Sequence, residues 1–319
     1  MAEIVSRTKV GKSGAFAEKF RLIKKYKFSL LLILPAFLFV LVFAYLPLFG
    51  VIMAFQDFDI INGGFFGSSF VGLDNFRTIF TMPAFLGAIR NTVVYSAANL
   101  IVFTPFPILL ALFFNELKNQ RFKKVVQTIS YLPFFLSWIS VIGLFYTMFA
   151  MYGPVNDLRL FLFGANTERI NIIMDHNYFL AVLLSSNLWK NVGWSTVIYM
   201  AAIAGIDGTL YEAAEIDGCN RFRKAVHITL PCMKETILLL FIISTGSLFN
   251  SNFEQIYGFQ NIFTQQQTEV INTLVFRRGI EGGAYSLATA LGLFQGVVTF
   301  GIVFVSNAIV KKLSGTGIW

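Results

Sequence analysis

The strongest constraint on this sequence is a set of long apolar stretches, each long enough to cross a membrane. A membrane-spanning helix needs about 20 mostly apolar residues, and the first stretch, residues 29–55, contains no charged residue. Of the 319 residues, 56% are hydrophobic and 13% are charged, whereas soluble domains carry about 25% charged residues. The sequence therefore predicts an all-α polytopic membrane protein with six transmembrane helices. These helices are predicted near residues 29–55, 89–114, 125–150, 179–205, 233–255 and 286–310.

The chain begins with a basic segment that precedes the first apolar stretch, as it would in a signal peptide. The apolar core is much too long for a signal peptide, and no small-residue cleavage site follows it. We therefore interpret residues 29–55 as a retained first span. The predicted organisation is a basic N-terminal segment at 1–28, a six-helix membrane domain at 29–310 and a C-terminal tail at 311–319.

The charged residues are distributed unevenly between the two sides of this predicted membrane domain. The segments on one side hold 18 basic and eight acidic residues, and the rest of the chain holds seven basic and nine acidic residues. Because cytoplasmic loops are enriched in Lys and Arg, we expect both termini to lie in the cytoplasm. The net charge of +8 is then a consequence of membrane orientation, and we expect no nucleic-acid partner. The basic side comprises residues 1–28, 115–124, 206–235 and 311–319.

Prolines interrupt several predicted spans, and Pro133 lies near the start of the third. Membrane helices tolerate such breaks where the freed backbone groups face protein or a water-filled cavity. Ordinary helix kinks are the alternative interpretation.

The side-chain combinations that would indicate an enzyme are missing from the sequence. Residues 11–13 resemble the end of a phosphate-binding loop, but Ser6 stands where the first glycine is required. His176 and His227 lie on opposite sides of the predicted membrane, and the two cysteines have no neighbouring metal ligands. We therefore predict that the chain is not an enzyme and binds no metal or cofactor of its own.

A polar loop follows the fourth predicted span, and its sequence predicts two short helices. Thr209 and Glu212 have the spacing of a capping box, which would begin the first helix. Gly218 suits the left-handed position that ends a helix, Asn220 can cap the next helix, and Pro231 suits the first turn of the fifth span. Such helices would form a platform for a cytoplasmic partner. The alternative is that Glu212 acts only as a cap and that the loop only connects two spans.

This loop, residues 206–232, also contains a spaced motif. Glu-Ala-Ala at 212–214 is followed by Gly218 and by Ile-x-Leu-Pro at 228–231. The spacing resembles the EAA signature of ABC importer permeases, and every position of the signature matches. Cys219 departs from that family, which usually has alanine there, but a small thiol should fit.

Three further segments extend the resemblance to the carbohydrate branch of the same family. Residues 189–194 and 285–294 look like that branch, and the ending at 311–319 is similar to its subgroup for polysaccharides and complex oligosaccharides. The resemblance implies the MetI-like fold of type I ABC importer permeases. It also implies a function: a permease subunit that forms half of the translocation path for a complex carbohydrate delivered by an extracytoplasmic binding protein.

The resemblance further implies partners and a location. A second permease subunit, usually non-identical, two ABC ATPase subunits and an extracytoplasmic sugar-binding lipoprotein would surround this chain in the bacterial inner (cytoplasmic) membrane. ATP and Mg would be bound by the ATPase subunits. Residues 212–218 would enter the ATPase as a coupling helix, with Glu212 facing a basic residue there. The coupling residues carried over by position are Glu212, Ala213, Ala214, Asp217, Gly218, Ile228, Leu230 and Pro231.

Polar and aromatic side chains in the fourth and fifth spans are candidate substrate contacts, because ligand pockets combine apolar walls with a few polar groups. The candidates are Asn187, Trp189, Lys190, Asn191, Trp194, Asn250, Asn252, Glu254 and Gln255. A charge at the centre of a span costs about 2.5–3.5 kcal/mol, so Lys190 should have a partner or a water-filled cavity. The alternative is that Lys190 snorkels to the outer interface, with the tryptophans as an aromatic belt. Glu254 is either its counter-ion or a solvated span end.

Two other functions compete with import of a complex carbohydrate. The first keeps the ABC importer and changes its cargo to a small sugar or another solute. The second is a secondary transporter, which predicts buried acidic residues for ion coupling and leaves the EAA spacing unexplained.

Overall fold

The computed structural model describes residues 24–61, 63–164, 166–247, 249 and 252–314. Most of the predicted N-terminal segment and the end of the predicted tail, residues 1–23 and 315–319, lie outside the described residues. The chain divides into two units, 1–52 and 53–319.

The first predicted span is helical throughout, but its hydrogen-bond pattern changes before Pro47. Helix α1 (Lys27–Val40) is followed by a π-helical turn, Leu41–Tyr45, and by a 3₁₀ segment, Leu46–Phe55. The N–H of Leu46 bonds to the carbonyl of Leu41, five residues earlier. Such wider turns accommodate residues that cannot continue the α-helical pattern, and proline lacks the N–H that the pattern requires.

A small hairpin and two short helices connect the first and second predicted spans. Gln56 pairs with Phe70 in an antiparallel, two-stranded ladder. The side-chain amide of Asn75 donates to the carbonyls of Ala54 and Gln56, at 3.0 and 2.9 Å, and this fixes the hairpin to the helix that follows. The elements are β1 (Gln56–Asp57), α2 (Gly64–Gly67), β2 (Ser69–Phe70) and α3 (Asp74–Thr81).

The second predicted span is built from two consecutive helices, each of which begins at a proline. They are α4 (Pro83–Phe103) and α5 (Pro105–Glu116). Proline suits the first helical position because the N–H that it lacks would have no intrahelical partner there.

The third predicted span, residues 125–150, is interrupted in the structure. Helix α6 ends at Tyr131, a 3₁₀ turn spans Leu132–Phe135, and α7 begins at Trp138. Pro133 cannot donate to the helical ladder, and Ser137 caps α7 by accepting a hydrogen bond from the N–H of Ser140 at 3.2 Å. The bounds are α6 (Gln120–Tyr131), α7 (Trp138–Phe149) and α8 (Pro154–Phe163).

The fourth span, the polar loop and the fifth span form a continuous series of helices. Pro231 does not begin the fifth span as the sequence predicted. It lies three residues before Lys234, near the end of a helix that bends by 63° into the next one. A π-helical turn, Ala225–Thr229, precedes it, as a similar turn precedes Pro47. The α-helices are α9 (His176–Ala204), α10 (Gly208–Ile216), α11 (Arg221–Lys224), α12 (Leu230–Cys232) and α13 (Lys234–Gly246).

Three short helices and a π-helical turn, Arg277–Glu281, separate the fifth span from the last helix. The fifth span therefore ends earlier than the predicted 233–255, since α13 ends at Gly246. The remaining elements are α14 (Phe253–Phe259), α15 (Gln265–Thr268), α16 (Ile271–Phe276) and α17 (Tyr285–Ser314).

In the part of the chain that the structure describes, four helices are long and apolar enough to cross a membrane, and a bent pair would be a fifth. Helix α9 has 29 residues and is longer than the ~30 Å hydrocarbon core at 1.5 Å per residue. Polar residues such as Lys190 reduce its hydropathy. The predicted all-α membrane fold is confirmed, and the predicted number of six spans is consistent with these helices together with α9. The four helices are Lys27–Phe55, Pro83–Glu116, Trp138–Phe163 and Tyr285–Lys312, and the bent pair is Arg221–Cys232 with Lys234–Gly246.

A cluster of buried apolar side chains holds the bent fifth span against the second and fourth spans. Met233, at the bend, is 1% exposed and packs with Ala111 of α5 and with Tyr199 and Ile203 of α9. This cluster places the polar loop at one end of α9.

Candidate functional site

The EAA helix, α10, begins two residues earlier than a capping box at Thr209 predicts. Asp207 is its N-cap, and the carboxylate accepts a hydrogen bond from the N–H of Thr209 at 3.0 Å. The predicted cap at Thr209 is therefore wrong, because Thr209 lies inside the first turn. Asp207 supplies the acceptor that the free N–H groups of this turn require, and these hydrogen bonds hold the pKa of its carboxyl below the usual value.

Gly218 ends α10 as the sequence predicted. Its φ is +72°, a left-handed conformation that glycine adopts without steric cost. The N–H of Gly218 bonds to the carbonyl of Glu215 at 3.0 Å, and the N–H of Cys219 bonds to that of Ala214 at 2.9 Å. These two bonds are those of a Schellman motif. Asn220 then caps the next helix by accepting from the N–H of Arg223 at 2.8 Å, as predicted.

Side chains also tie α10 to the helix that leads into the fifth span. The hydroxyl groups of Tyr211 and Thr229 are hydrogen-bonded at 2.9 Å. The ammonium of Lys224 donates to the carboxylate of Glu215, and this hydrogen bond and charge hold the pKa of that carboxyl below its usual value. The loop helix is thus fixed to the structure that continues into the bend at Met233.

The residues of the EAA motif differ in exposure, and the difference defines an outward surface. Ala214 is buried against the chain, whereas Glu212, Ala213, Asp217 and Gly218 are exposed. Ile228 and Leu230 are half-buried, and Pro231 is exposed beside the bend. The exposed members are available to another protein.

A cavity of about 460 Å³ lies between α4, α9 and α13. Its described lining consists of amide, hydroxyl and apolar groups and contains no charged side chain. Ligand pockets commonly have volumes of ~300–1,000 Å³, so the cavity can accommodate a small polar ligand or a part of a longer one. The lining residues are Tyr95, Ser96, Asn99, Leu100, Phe103, Thr104, Asn187, Asn191, Ser195, Ser244, Ser247 and Asn252.

Three of the predicted substrate contacts line this cavity, and two of them belong to a ladder of amides. The amide nitrogen of Asn191 donates to the side-chain oxygen of Asn187 at 2.7 Å, and Asn187 donates in turn to Asn99 at 2.7 Å. Asn187, Asn191 and Ser195 are four residues apart and therefore share one face of α9. Asn252 lies on another part of the wall.

The other predicted contacts of α9 do not line this cavity. Lys190 is 6% exposed, and its Nζ donates to the carbonyl oxygens of Phe134 at 2.7 Å and Leu136 at 2.5 Å. Trp194 stacks on the ring of Phe134, with centroids 4.6 Å apart, and borders a smaller cavity of about 130 Å³. Trp189 is 39% exposed and contacts Phe145.

The predicted contacts Gln255 and Glu254, beyond the fifth span, lie in different environments. Gln255 is fully buried and accepts from the hydroxyl of Tyr95 at 2.9 Å. Its amide nitrogen donates to the carbonyl of Leu183 and the hydroxyl of Ser186. Glu254 is exposed and is not within ion-pair distance of Lys190. Asn250 lies outside the described residues.

The sequence prediction missed the α4 side of the cavity. Thr92, Ser96 and Asn99 recur at helical spacing within an otherwise apolar stretch, and Ser96 and Asn99 line the cavity. A polar stripe of this kind inside a span is a sequence signal that could have identified this wall.

No group of three or more metal-ligating side chains occurs among the described residues. Cys219 and Cys232, both in the described segment that follows α9, are free thiols.

Comparison with known proteins identifies the family. The model of the binding-protein-dependent transport system inner membrane component family matches residues 103–315, which is more than half of the chain. The chain belongs to this family. It is therefore a permease subunit of an ABC importer, a non-catalytic inner-membrane component.

Two curated relatives and one solved structure show how far the similarity extends. The polygalacturonan/rhamnogalacturonan transport system permease protein YteP of Bacillus subtilis (strain 168) is 39% identical, over 92% of this chain and 90% of YteP. Protein LplB of the same organism is 38% identical over 93% of this chain and 92% of LplB. A chain of a bacterial alginate ABC transporter, crystallised with an alginate pentasaccharide-bound periplasmic protein, superposes with a TM-score of 0.85 at 35% identity. The match covers 94% of this chain and 99% of that chain.

Proposed function

We propose that this permease subunit forms half of a translocation path for a complex carbohydrate, an oligo- or polysaccharide. The observation that carries the proposal is the cavity between α4, α9 and α13, whose polar groups are amides and hydroxyls. Such groups donate and accept hydrogen bonds in the way that sugar hydroxyls require. The names of the relatives support the same class of substrate.

ATP hydrolysis drives transport through the loop that contains the EAA motif. The exposed surface of α10, with Glu212, Ala213, Asp217 and Gly218, enters a cleft of the ATPase subunit. Its buried side is fixed to the fifth span, which bends at Met233 and continues to Ser244 at the cavity. A displacement of α10 would therefore move a wall of the cavity and favour alternating access by rigid-body motion.

The remaining subunits complete the importer. A second permease subunit, which the resemblance favours as non-identical, supplies the other half of the path. Two ATPase subunits bind ATP and Mg, and this chain binds neither. An extracytoplasmic sugar-binding lipoprotein delivers the substrate, and both termini of this chain lie in the cytoplasm.

Transport by the purified complex tests the substrate class. The complex with its binding protein is placed in liposomes that contain ATP, and uptake of labelled oligosaccharides is compared with uptake of monosaccharides and amino acids. We expect ATP-dependent uptake of oligosaccharides. Uptake of monosaccharides alone would favour the small-sugar importer. A cavity of about 460 Å³ is also large enough for a small sugar. Uptake without ATP would contradict the importer mechanism.

A further inference from the structure

Lys190 has a contact pattern that the proposed transport path does not use. Its ammonium lies within the protein and donates to two backbone carbonyls, those of Phe134 and Leu136. Both carbonyls belong to the break between α6 and α7. The hydrogen-bond partners of this buried charge are therefore main-chain groups of a neighbouring span, and the Glu254 carboxylate acts on it only from beyond ion-pair distance.

The break explains why these carbonyls need a donor from another helix. Phe134 lies in the 3₁₀ turn and Leu136 is extended, with ψ at 143°, so the carbonyls of both residues lie outside the α-helical hydrogen-bond pattern. Carbonyls at such a break lose their helical N–H partners, and an unsatisfied carbonyl at membrane depth is strongly unfavourable. A Lys ammonium has three N–H donors, so Lys190 can donate to both of these carbonyls at once.

Other contacts of the same surface hold α9 against the break. The Lys190 Nζ lies 5.5 Å from the ring centroids of Phe134 and Trp138, within the range of cation–π attraction. A Cβ at Gly193 would collide with the backbone carbonyl of Ser130 in α6. Helix α9 thus approaches the backbone of α6 closely at Gly193. One turn earlier, Lys190 binds the carbonyls of the break.

A different face of α9 presents the amide ladder to the cavity. Asn187 lies three residues before Lys190 and Asn191 one residue after it. Asn187 reaches across to Asn99 of α4 at 2.7 Å. Because a helix turns as a rigid unit, a rotation of α9 that broke the Lys190 contacts would also move Asn187 away from Asn99.

We propose that Lys190 is a positioning residue. Its ammonium replaces backbone donors that are missing at the break in the third span, and it thereby fixes the rotation of α9 that brings Asn187 against Asn99. Only the consequence for transport rests on the proposed function. The geometric claim stands independently of the cargo.

Disulfide crosslinking in the full complex tests the geometric claim. Asn99→Cys and Asn187→Cys are introduced together with Cys219→Ser and Cys232→Ser, and the rate of oxidative crosslinking is measured in membranes. We expect Lys190→Met to slow crosslinking about tenfold, because the carbonyls lose a buried charged donor, and Lys190→Arg to restore the rate to within about twofold. Val197→Met, an apolar change on the exposed surface of α9, is the matched control and should retain the parental rate. A parental rate in Lys190→Met would overturn the proposal.

A second variant tests the same claim if the first one does not fold. If Lys190→Met does not accumulate in the membrane, Lys190→Gln is used, because its amide is neutral and its side chain is shorter. Slower crosslinking is again expected, and the parental rate would again contradict the proposal.

Transport kinetics separate positioning from direct substrate contact. With both asparagines intact, Lys190→Met should raise the KM for neutral and for acidic oligosaccharides by the same factor. A rise confined to the acidic substrate would identify Lys190 as a carboxylate contact and overturn the proposal. If the parental complex transports no carbohydrate, the proposed function fails, and the crosslinking result still decides the role of Lys190.

Discussion

The loop after α9 and the cavity beside α9 are built from contacts of very different range. In the loop, each cap joins residues two to five positions apart, as Asp207 joins Thr209 and Ala214 joins Cys219. In the cavity, the bond between Asn99 and Asn187 joins residues 88 positions apart. The geometry of the loop is therefore determined by residues that are close in sequence. The cavity forms only when three helices pack together. Substitutions should affect the two regions differently.

The largest expected effect is in the loop, at the residue whose backbone conformation is most restricted. Gly218→Val places a β-branched side chain at φ +72°, where L-residues are strained by about 1–2 kcal/mol or more. We expect the complex to assemble in the membrane but to lose most of its uptake and substrate-stimulated ATP hydrolysis.

The matched control for this change is Gly208→Ala in the same helix. A Cβ at Gly208 meets no atom within 4 Å, and its φ lies outside the left-handed region, so uptake should be retained. Normal coupling in Gly218→Val would show that the geometry of the helix end does not matter for transport.

In the cavity, the corresponding change should weaken substrate binding and leave the loop intact. Asn187→Ala removes the central member of the amide ladder, and we expect the KM for uptake to rise about tenfold, which corresponds to about 1.4 kcal/mol. The maximal rate should change less than the KM. Ser185→Ala, which alters a hydroxyl on α9 that does not line the cavity, is the control. Equal effects of the two substitutions on the KM would remove the ladder from the substrate path.

A smaller effect is expected where α10 contacts the helix of the fifth span. Tyr211→Phe and Thr229→Val each remove one partner of the same hydrogen bond, and each should lower uptake about twofold. The double variant should be no worse than either single variant, because the interaction is already lost. Multiplicative losses would show that the two hydroxyls act independently.

The smallest effect should be a pH dependence of the contact between Glu215 and Lys224. Because Lys224 lowers the pKa of the Glu215 carboxyl, this contact stabilises α10 above the usual carboxyl pKa, and the stabilisation is lost as the pH falls through the lowered pKa. A spin label at the exposed position Ile216→Cys, with Cys219 and Cys232 replaced by Ser, should become more mobile as the pH falls below the usual carboxyl range. Lys224→Met should reduce this dependence to the part that the N-cap Asp207 contributes, and an unchanged pH response in that variant would remove the Glu215–Lys224 contact as its cause.

The same difference in contact range explains how much the sequence could predict. The ends of the loop helices were predictable because Gly218 and Asn220 act on groups a few residues away. The predicted cap at Thr209 was wrong for a local reason: Asp207, two residues earlier, offers a carboxylate to the same free N–H groups.

The cavity and the environment of Lys190 were less predictable because they depend on tertiary contacts. The sequence showed a lysine between two tryptophans but not that a break at Pro133 would present two carbonyls to it. Gln255 was proposed as a substrate contact, yet it is buried among Tyr95, Leu183 and Ser186. The role of Asn99 is hard to predict because the residue lies in a largely apolar span and its partner, Asn187, is 88 positions away.

The central claim is that the loop with the EAA motif couples this permease to ATP hydrolysis in a partner subunit. Its most direct test is the number of ATP molecules hydrolysed per oligosaccharide imported by Glu212→Lys, measured in liposomes with the complete complex. Glu212 is exposed on α10, so the substitution should leave membrane insertion intact. We predict that uptake and substrate-stimulated ATP hydrolysis are lost together, or that ATP is hydrolysed without import. Import at the parental ratio would contradict the account.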